Sequence, residues 1–231
     1  MINAFYKKYQ KHFDVSENNF AHFVMWSCGG ICIGFVIGLV GIAFHLALEW
    51  ATEFRTAHPM LLWLLPFGGL AIVLAYRLAG QEKDRGTNFI LVAVRANEAV
   101  TLRTAPLIFF STVVTHLLGG SAGREGAALQ LGGSIASCFG RMFQLNEREG
   151  RIMTMCGMAA GFAALFGTPL TSVIFAMEVI TVGVMHYSAI VPCIISALVA
   201  AGLSQAVGIA PTTFSIAHIP TAVGLENCFR A

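Results

Sequence analysis

The chain has 231 residues, of which 56% are hydrophobic and 11% are charged, with a formal net charge of +2. Soluble domains carry about 25% charged residues, so the composition excludes a soluble globular protein. A net charge this small, without a basic stripe, also excludes a nucleic-acid-binding protein. We therefore expect an all-α, polytopic membrane protein that is embedded in the lipid bilayer.

A mostly polar segment, residues 1–20, precedes the first long apolar run, Phe23 to Trp50. The segment contains three lysines, Lys7, Lys8 and Lys11. Cytoplasmic segments beside membrane helices are enriched in lysine and arginine, so this N-terminal segment is expected to be cytoplasmic. The run itself is longer than the apolar part of a signal peptide and predicts a membrane-spanning helix.

Glycines form a stripe in the first apolar run, where Gly30, Gly34 and Gly38 recur every four residues. Small residues at this spacing allow two helices to approach closely within lipid, so the stripe predicts a packing surface. A second span is expected from Met60 to Ala79, and it returns the chain to the cytoplasmic side.

The apolar segments that follow are short or interrupted by glycine. They are 86–96, 106–118, 126–143, 152–166, 169–184 and 189–208. Such segments indicate helices that begin or end inside the membrane, which is tolerated only where the backbone is buried in protein or lines a wet cavity. Secondary transporters use half-helices of this kind to bind anionic substrates at helix N-termini. We predict about eight tilted or re-entrant helices, with a bundle that transports nothing as the alternative.

One conspicuous acid, Glu125, lies in the glycine-rich stretch 119–133, at the start of a helical pattern. The N-terminus of a helix has unpaired backbone N–H groups and a partial positive charge, so it attracts anions. The carboxylate of Glu125 can occupy such a site as a tethered anion, and its protonation would allow a free anion to replace it. This arrangement predicts coupling between anion and proton movement.

Simpler interpretations of this stretch remain open. Glu125 can be a helix-start acid that only complements the helix dipole, and Arg124 can be a structural charge near the extracellular surface. The residues from Gly119 to Gly123 also fit G-x-S-x-G, the nucleophile elbow of serine hydrolases, with Ser121 as the nucleophile. That motif requires a strand before the serine and a helix after it, so an intramembrane hydrolase is a remote alternative.

Two parts of the sequence match the motifs of a known family. Gly123-Arg124-Glu125-Gly126, followed by Leu129-Gln130-Leu131-Gly132-Gly133, resembles the G-[RK]-E-G-P-x-x-Q-x-G signature of the CLC family of chloride channels and anion/proton antiporters, with Ala127 in place of the proline. The stretches 159–163 and 168–178 are similar to that family's A-x-F-x-A-P-L-x-G-x-x-F-x-x-E segment. The likeness covers roughly residues 20 to 208 and implies the first inverted repeat of a CLC-type fold.

The chain departs from the family pattern at its first anion-binding motif, G-S-G-I-P. The corresponding residues begin Gly86-Thr87-Asn88, so threonine replaces the serine and asparagine replaces the second glycine. The departure is similar to the fluoride-exporting branch of the family. An asparagine amide has two donors for a small, strongly hydrated anion, although Asn88 can also act as a helix cap.

A second departure is Val179, which follows Glu178 where the family's chloride/proton antiporters have two acids in tandem. The resemblance implies that Glu178 is structural, and Val179 argues against a chloride/proton antiporter of the usual kind. A third departure is length, since the family fold has two inverted repeats and this chain resembles only the first.

The sequence is therefore divided into a cytoplasmic segment 1–20, a membrane domain 21–208 and a tail 209–231. The tail is atypical of the family, as expected after a truncation or a frameshift. The resemblance implies a multi-pass transporter of the cell membrane, not an enzyme, that exchanges fluoride for protons without a cofactor or metal and forms a homodimer. Glu125 is the expected gating and proton-carrying acid. The expected anion-binding residues are Thr87, Asn88, Gly123, Arg124 and Gly126. A half-length chloride channel or transporter and an inert fragment are the alternatives.

Overall fold

The structure, a computed structural model, describes residues 19–81, 86, 90, 92, 101–180 and 187–209. Within these residues the chain is helical with short connections and contains no strand, which confirms the all-α prediction. The helices with defined bounds are α1 (Asn19–Ala57), α2 (Leu65–Leu78), α3 (Thr104–Leu117), α4 (Arg124–Met142), α5 (Glu147–Phe166), α6 (Pro169–Ile180) and α7 (Ile190–Ala206). Two 3-10 turns, Pro59–Leu64 and Tyr187–Ala189, lead into α2 and α7.

The apolar helices of the described chain differ in length. Three helical stretches are long and apolar enough to cross a membrane: Phe23–Ala57, Pro59–Leu78 and Tyr187–Ala206. Helices α3 and α6 are also apolar but contain only 14 and 12 residues, fewer than the roughly 20 that a bilayer requires. The predicted mixture of full spans and shorter helices is confirmed.

The glycine stripe of α1 packs against α7. A Cβ atom at Gly30 would lie 2.9 Å from the carbonyl oxygen of Pro192, and one at Gly38 would lie 3.1 Å from the Cα of Ala200. Gly34, between them, faces the same helix. Residue numbers increase in the same direction along both helices, so α1 and α7 are parallel. The predicted packing role of the stripe is confirmed.

Helices α4 and α5 make the closest backbone approach of the described core. A Cβ atom at Gly157 would overlap the carbonyl group of Gly132 and the side chain of Ala136. One at Gly161 would lie 2.7 Å from the carbonyl oxygen of Ala128. These contacts show that the two helices are antiparallel. In lipid, this close van der Waals packing of small residues is a main source of helix association.

Buried hydroxyl groups join α5 to α7. The Ser196 hydroxyl donates to the carbonyl oxygen of Cys156 at 2.9 Å, and the Ser204 hydroxyl donates to that of Ala164 at 2.5 Å. Both serines are fully buried. Because no water is available inside a bilayer, the pairing satisfies groups that would otherwise be costly to bury. Helix α5 is thus held between α4 and α7 and forms the centre of the described fold.

One end of the bundle brings together the end of α1, the 3-10 turn before α2 and the loop between α3 and α4. A Cβ atom at Gly119 would lie 3.2 Å from Cδ of Arg55 and 3.1 Å from Cδ1 of Leu62. Helix α3 ends where Gly119 adopts a φ of +82° and the N–H of Gly120 donates to the carbonyl of Thr115 at 2.8 Å. This turn directs the chain back into α4 at the same end of the bundle.

Candidate functional site

The glycine-rich break predicted from the sequence is the start of α4. Gly123 is the N-cap, with an extended backbone at φ −75° and ψ 139°, and it provides no side-chain hydrogen bond to the helix. Arg124 is the first helical residue, and Glu125 lies in the first turn, as expected. The positive end of a 19-residue helix is therefore not closed by a capping side chain. Such an end can bind an anion through its backbone N–H groups.

The side chain of Glu125 is exposed and folds back over the start of its own helix. A Cβ atom at Gly123 would lie only 2.9 Å from Oε2 of Glu125. The carboxylate can adopt this position because residue 123 has no side chain. A negative group here is favoured by the partial positive charge of the helix N-terminus. The geometry matches the tethered anion predicted from the sequence, while the functional role of Glu125 stays a prediction.

One ionisable residue of α1 interacts with the start of α4. Arg124 is half-buried and lies close enough to His45 of α1 to interact with it electrostatically. Nε2 of His45 lies 4.0 Å from Oε2 of Glu49, one helical turn further along α1. No role is predicted from the sequence for these two α1 residues. Ionisable residues in an apolar span are expensive unless they are partnered or functional, and this signal could have identified them.

Thr87 and Asn88, the predicted anion donors, lie outside the described residues. The structure does describe Gly86, whose φ is +64° and whose Cβ position would be 3.8 Å from Nε2 of Gln130. It also describes Ile90, which is completely buried and packs against α4. Gly86 and Ile90, the described residues on either side of the Thr87-Asn88 pair, therefore both lie close to α4.

Gln130 was quoted in the family motif but was not predicted to be a site residue. It follows Glu125 by five residues, which is about 7.5 Å along the helix axis. Its side chain is buried, with 4% of its surface exposed, and its Nε2 lies near Gly86. A glutamine between two leucines, Leu129 and Leu131, is the sequence signal that could have identified it, because a polar group that is buried requires hydrogen-bond partners.

Glu178 lies in the last turn of α6, and both it and Val179 are half-buried. Helix α6 begins immediately after α5 ends, and α5 runs antiparallel to α4. Phe162 of α5 packs against Phe175 of α6, so α6 folds back along α5 and its last turn is directed toward the end of the bundle away from Glu125. Glu178 therefore lies apart from the start of α4, and its structural role stays a prediction.

The G-x-S-x-G match of the sequence has the wrong structural setting for a hydrolase. Ser121 is exposed in the loop between α3 and α4, so a helix precedes it in place of the strand that a nucleophile elbow requires. His116 lies on α3, where its Nδ1 is 2.8 Å from the carbonyl oxygen of Thr112. The glycines of the match are explained by the turn that ends α3 and the start of α4.

Comparison with known proteins identifies the family. The family model described as voltage gated chloride channel matches residues 67–226, and this match extends beyond Gly208. The chain belongs to this family. It is 40% identical over 188 residues to a chloride/fluoride channel protein of Pseudomonas syringae pathovar tomato, covering 81% of this chain and 42% of that protein. It is 34% identical over 160 residues to an H⁺/Cl⁻ exchange transporter of Cronobacter sakazakii, covering 63% of this chain and 34% of that protein.

Solved structures of voltage-gated chloride channel relatives confirm the fold. The crystal structure of a CLC-type fluoride/proton antiporter superimposes with a TM-score of 0.79 at 32% identity, covering 90% of this chain and 53% of that one. A slow cyanobacterial Cl⁻/H⁺ antiporter gives a TM-score of 0.61 at 21% identity, covering 79% and 46%, and shows the fold alone. The chain thus spans about half the length of the relatives it matches. It is a membrane protein of this family.

Proposed function

We propose that the protein transports an inorganic anion across the cell membrane, most specifically fluoride in exchange for protons, with Glu125 as the gating and proton-carrying acid. The observation that carries the proposal is the exposed Glu125 carboxylate folded over the uncapped start of α4. Anions are favoured at that position by the helix dipole and the free N–H groups.

Competition between the carboxylate and the free anion provides the proposed mechanism. While Glu125 is ionised, its carboxylate occupies the positive end of α4 and excludes the anion. A proton neutralises the carboxylate, the side chain moves away, and an anion takes its place beside the N–H groups of Gly123, Arg124 and Gly126. Return of the carboxylate displaces the anion toward one side of the membrane, and its proton is released toward the other side, which couples the two movements in opposite directions.

Fluoride is the proposed substrate for two reasons. The relatives reported above include a chloride/fluoride channel protein and a structure of a fluoride/proton antiporter. The residues Thr87 and Asn88 add a hydroxyl and an amide as donors, and strong donors are required to replace the water that fluoride binds tightly. Val179 adds to the case against a chloride/proton antiporter of the usual kind.

The rest of the anion pathway is proposed to come from a second inverted repeat, because the chain spans about half the length of its relatives. We also propose that the N-terminus is cytoplasmic and that the protein is a homodimer, as the resemblance implies. On this topology the start of α4 is directed toward the extracellular side, since it lies at the end of the bundle where α1 ends.

Efflux from liposomes tests the proposal. The purified chain is reconstituted, and loss of fluoride or chloride is recorded with ion-selective electrodes while proton uptake is followed by external pH. Fluoride efflux with proton uptake is expected. Glu125→Gln should abolish both, because the amide can neither carry the proton nor return to the helix end as an anion that displaces the bound fluoride. Glu147→Gln is the matched control, since Glu147 is also an exposed acid in the first turn of a helix.

The results separate the alternatives. Equal efflux of chloride and fluoride would overturn the fluoride assignment and favour a chloride channel or transporter. Efflux that survives in Glu125→Gln with its proton coupling intact would remove Glu125 from the mechanism. Absence of flux for both anions would favour the inert half-length chain, and adding a separately expressed second repeat should then restore transport if the pathway is shared between repeats.

A further inference from the structure

Two apolar grooves meet at Arg103, at the end of the bundle away from Glu125. The first lies between α2 and α3 and has a volume of about 400 Å³. The second lies among α1, α3 and α4 and has a volume of about 620 Å³. Arg103, Pro106 and Phe110 line both grooves, so the first two turns of α3 form a ridge between them.

The grooves are open toward the surroundings of the bundle. Phe110, on the ridge, is 65% exposed, and along α2 the apolar residues Phe67 and Leu78 are 69% and 89% exposed. The first groove follows α2 from Ala71 to Ala79, which is about 12 Å of helix axis. Surfaces of this kind in a membrane protein face lipid chains or protein and not water.

Arg103 adds a charge to this otherwise apolar surface. It is the exposed N-cap residue of α3, and it forms no ion pair with any residue that the structure describes. An arginine at the boundary of an apolar groove can lay its aliphatic part along the groove and place its guanidinium at the level of the lipid headgroups. Its planar donors match a phosphate group.

The topology puts Arg103 on the side where anionic lipid acts. Ala79, at the end of α2, lines the same groove as Arg103, and the chain beyond α2 is expected to be cytoplasmic. Basic residues at the cytoplasmic surface are attracted to anionic phospholipids by about 1 kcal/mol each. Two apolar grooves that meet at one cation match a molecule with two acyl chains and one phosphodiester.

We propose that this surface binds one anionic phospholipid, with its phosphate at Arg103 and one acyl chain in each groove. Phe110 and Pro106 separate the two chains. The site is independent of the start of α4, so the lipid would stabilise the protein and would not take part in anion exchange.

Thermal unfolding of the full chain in a mild detergent tests this assignment. Phosphatidylglycerol, phosphatidylcholine with the same acyl chains, and soluble glycerol phosphate are titrated separately. Phosphatidylglycerol should raise the melting temperature in a saturable manner, because a ligand of the folded state stabilises it. The other two should produce a much smaller shift, since one lacks net charge and the other lacks acyl chains.

Variants locate the site. Arg103→Gln should weaken the apparent affinity for phosphatidylglycerol about fivefold, the effect of losing about 1 kcal/mol. Ala75→Leu, which fills the first groove without touching the charge, should also weaken it. Arg141→Gln is the matched control, because Arg141 is an exposed arginine in the last turn of α4 that lines neither groove.

The proposal is overturned if phosphatidylcholine stabilises as well as phosphatidylglycerol, if glycerol phosphate alone reproduces the shift, or if Arg103→Gln and Arg141→Gln behave alike. It is also overturned if no lipid changes the melting temperature, which would indicate that protein covers the grooves. Gel filtration and circular dichroism of each variant ensure that a lost shift is not the result of misfolding.

Discussion

Helices α4 and α5 pack against each other over their middle turns, yet their N-termini differ in how the first turn is closed. At the start of α5, Asn146 accepts a hydrogen bond from the N–H of Glu149 at 2.9 Å, and the Glu149 carboxylate accepts one from the N–H of Asn146 at 3.1 Å. At the start of α4, Gly123 makes no side-chain cap, and the Glu125 carboxylate lies over the turn.

The two acids differ in whether their side chains are needed to cap a helix. Glu149 is held by a reciprocal pair of hydrogen bonds that stabilises the end of α5. Glu125 has no such cap partner at Gly123, so its side chain can leave the helix end without removing a cap. Close packing of α4 on α5 keeps the backbone in place while that side chain moves. A fixed backbone with a mobile acid is what the proposed gate requires.

The largest predicted effect concerns the contact that holds the two helices together. Gly157→Ala should lower the free energy of unfolding by about 1–3 kcal/mol, because the new methyl group would overlap the carbonyl of Gly132 and the side chain of Ala136. Backbone and a short side chain provide no flexible neighbour that could yield. Denaturation of the purified variant in mixed micelles measures the change.

Gly202→Ala is the matched control for this contact. Gly202 is also a helical glycine, on α7, but a Cβ atom there would have no neighbour within 4 Å. The substitution should raise stability by about 0.5–1 kcal/mol, because alanine favours the helix more than glycine does. If both variants lose the same stability, then α4 and α5 are less closely packed than the structure shows. The α4 backbone would then not be held in place as the proposed gate requires.

A smaller effect is predicted at the capped start of α5. Asn146→Ala removes the side-chain acceptor for the N–H of Glu149 and should lower stability by about 1 kcal/mol. Anion efflux per folded protein should stay unchanged, because this helix end is not part of the proposed site. A change in the ratio of proton uptake to fluoride efflux would show that the start of α5 also influences the exchange. It would contradict the assignment of the exchange to the start of α4 alone.

Much of this fold was predictable from local sequence signals. The stripe of Gly30, Gly34 and Gly38 indicated a helix contact, which α7 provides, and the Gly119–Gly123 break indicated the start of a helix. The partner of each small residue was not predictable. The spacing of small residues shows which face of a helix can pack closely, but it does not show which other helix packs there. The pairing of Gly157 with Gly132 is determined only when the helices pack in three dimensions.

The site was only partly predictable, for a related reason. Glu125 was identified because a charge in a glycine-rich apolar context is unusual, and the structure puts it in the first turn of α4 as predicted. The approach of Arg124 to His45, and of Gln130 to Gly86, joins residues that are far apart in the chain. No local pattern predicts those neighbours. The predicted roles of Thr87 and Asn88 remain predictions.

The smallest change in stability, and the most direct test of the gate, is predicted for Gly123→Ala. The backbone angles of residue 123 suit alanine, so no backbone strain is introduced. The new methyl group would lie 2.9 Å from Oε2 of Glu125, but that atom is the end of a flexible side chain and can move. Loss of the preferred N-cap residue and the reduced entropy of the unfolded chain oppose each other, so stability should change by only a few tenths of a kcal/mol.

The effect of Gly123→Ala on transport should be larger than its effect on stability. Displacing the carboxylate weakens its competition with the anion, and each 1 kcal/mol of weakening changes that balance about fivefold. The ratio of protons taken up to fluoride released should therefore fall, with faster uncoupled efflux, when both are recorded in the same liposomes. Gly69→Ala is the control, since a Cβ atom at Gly69 meets nothing within 4 Å. An unchanged ratio in Gly123→Ala would mean that the position of Glu125 over the N-cap is not a state of the transport cycle.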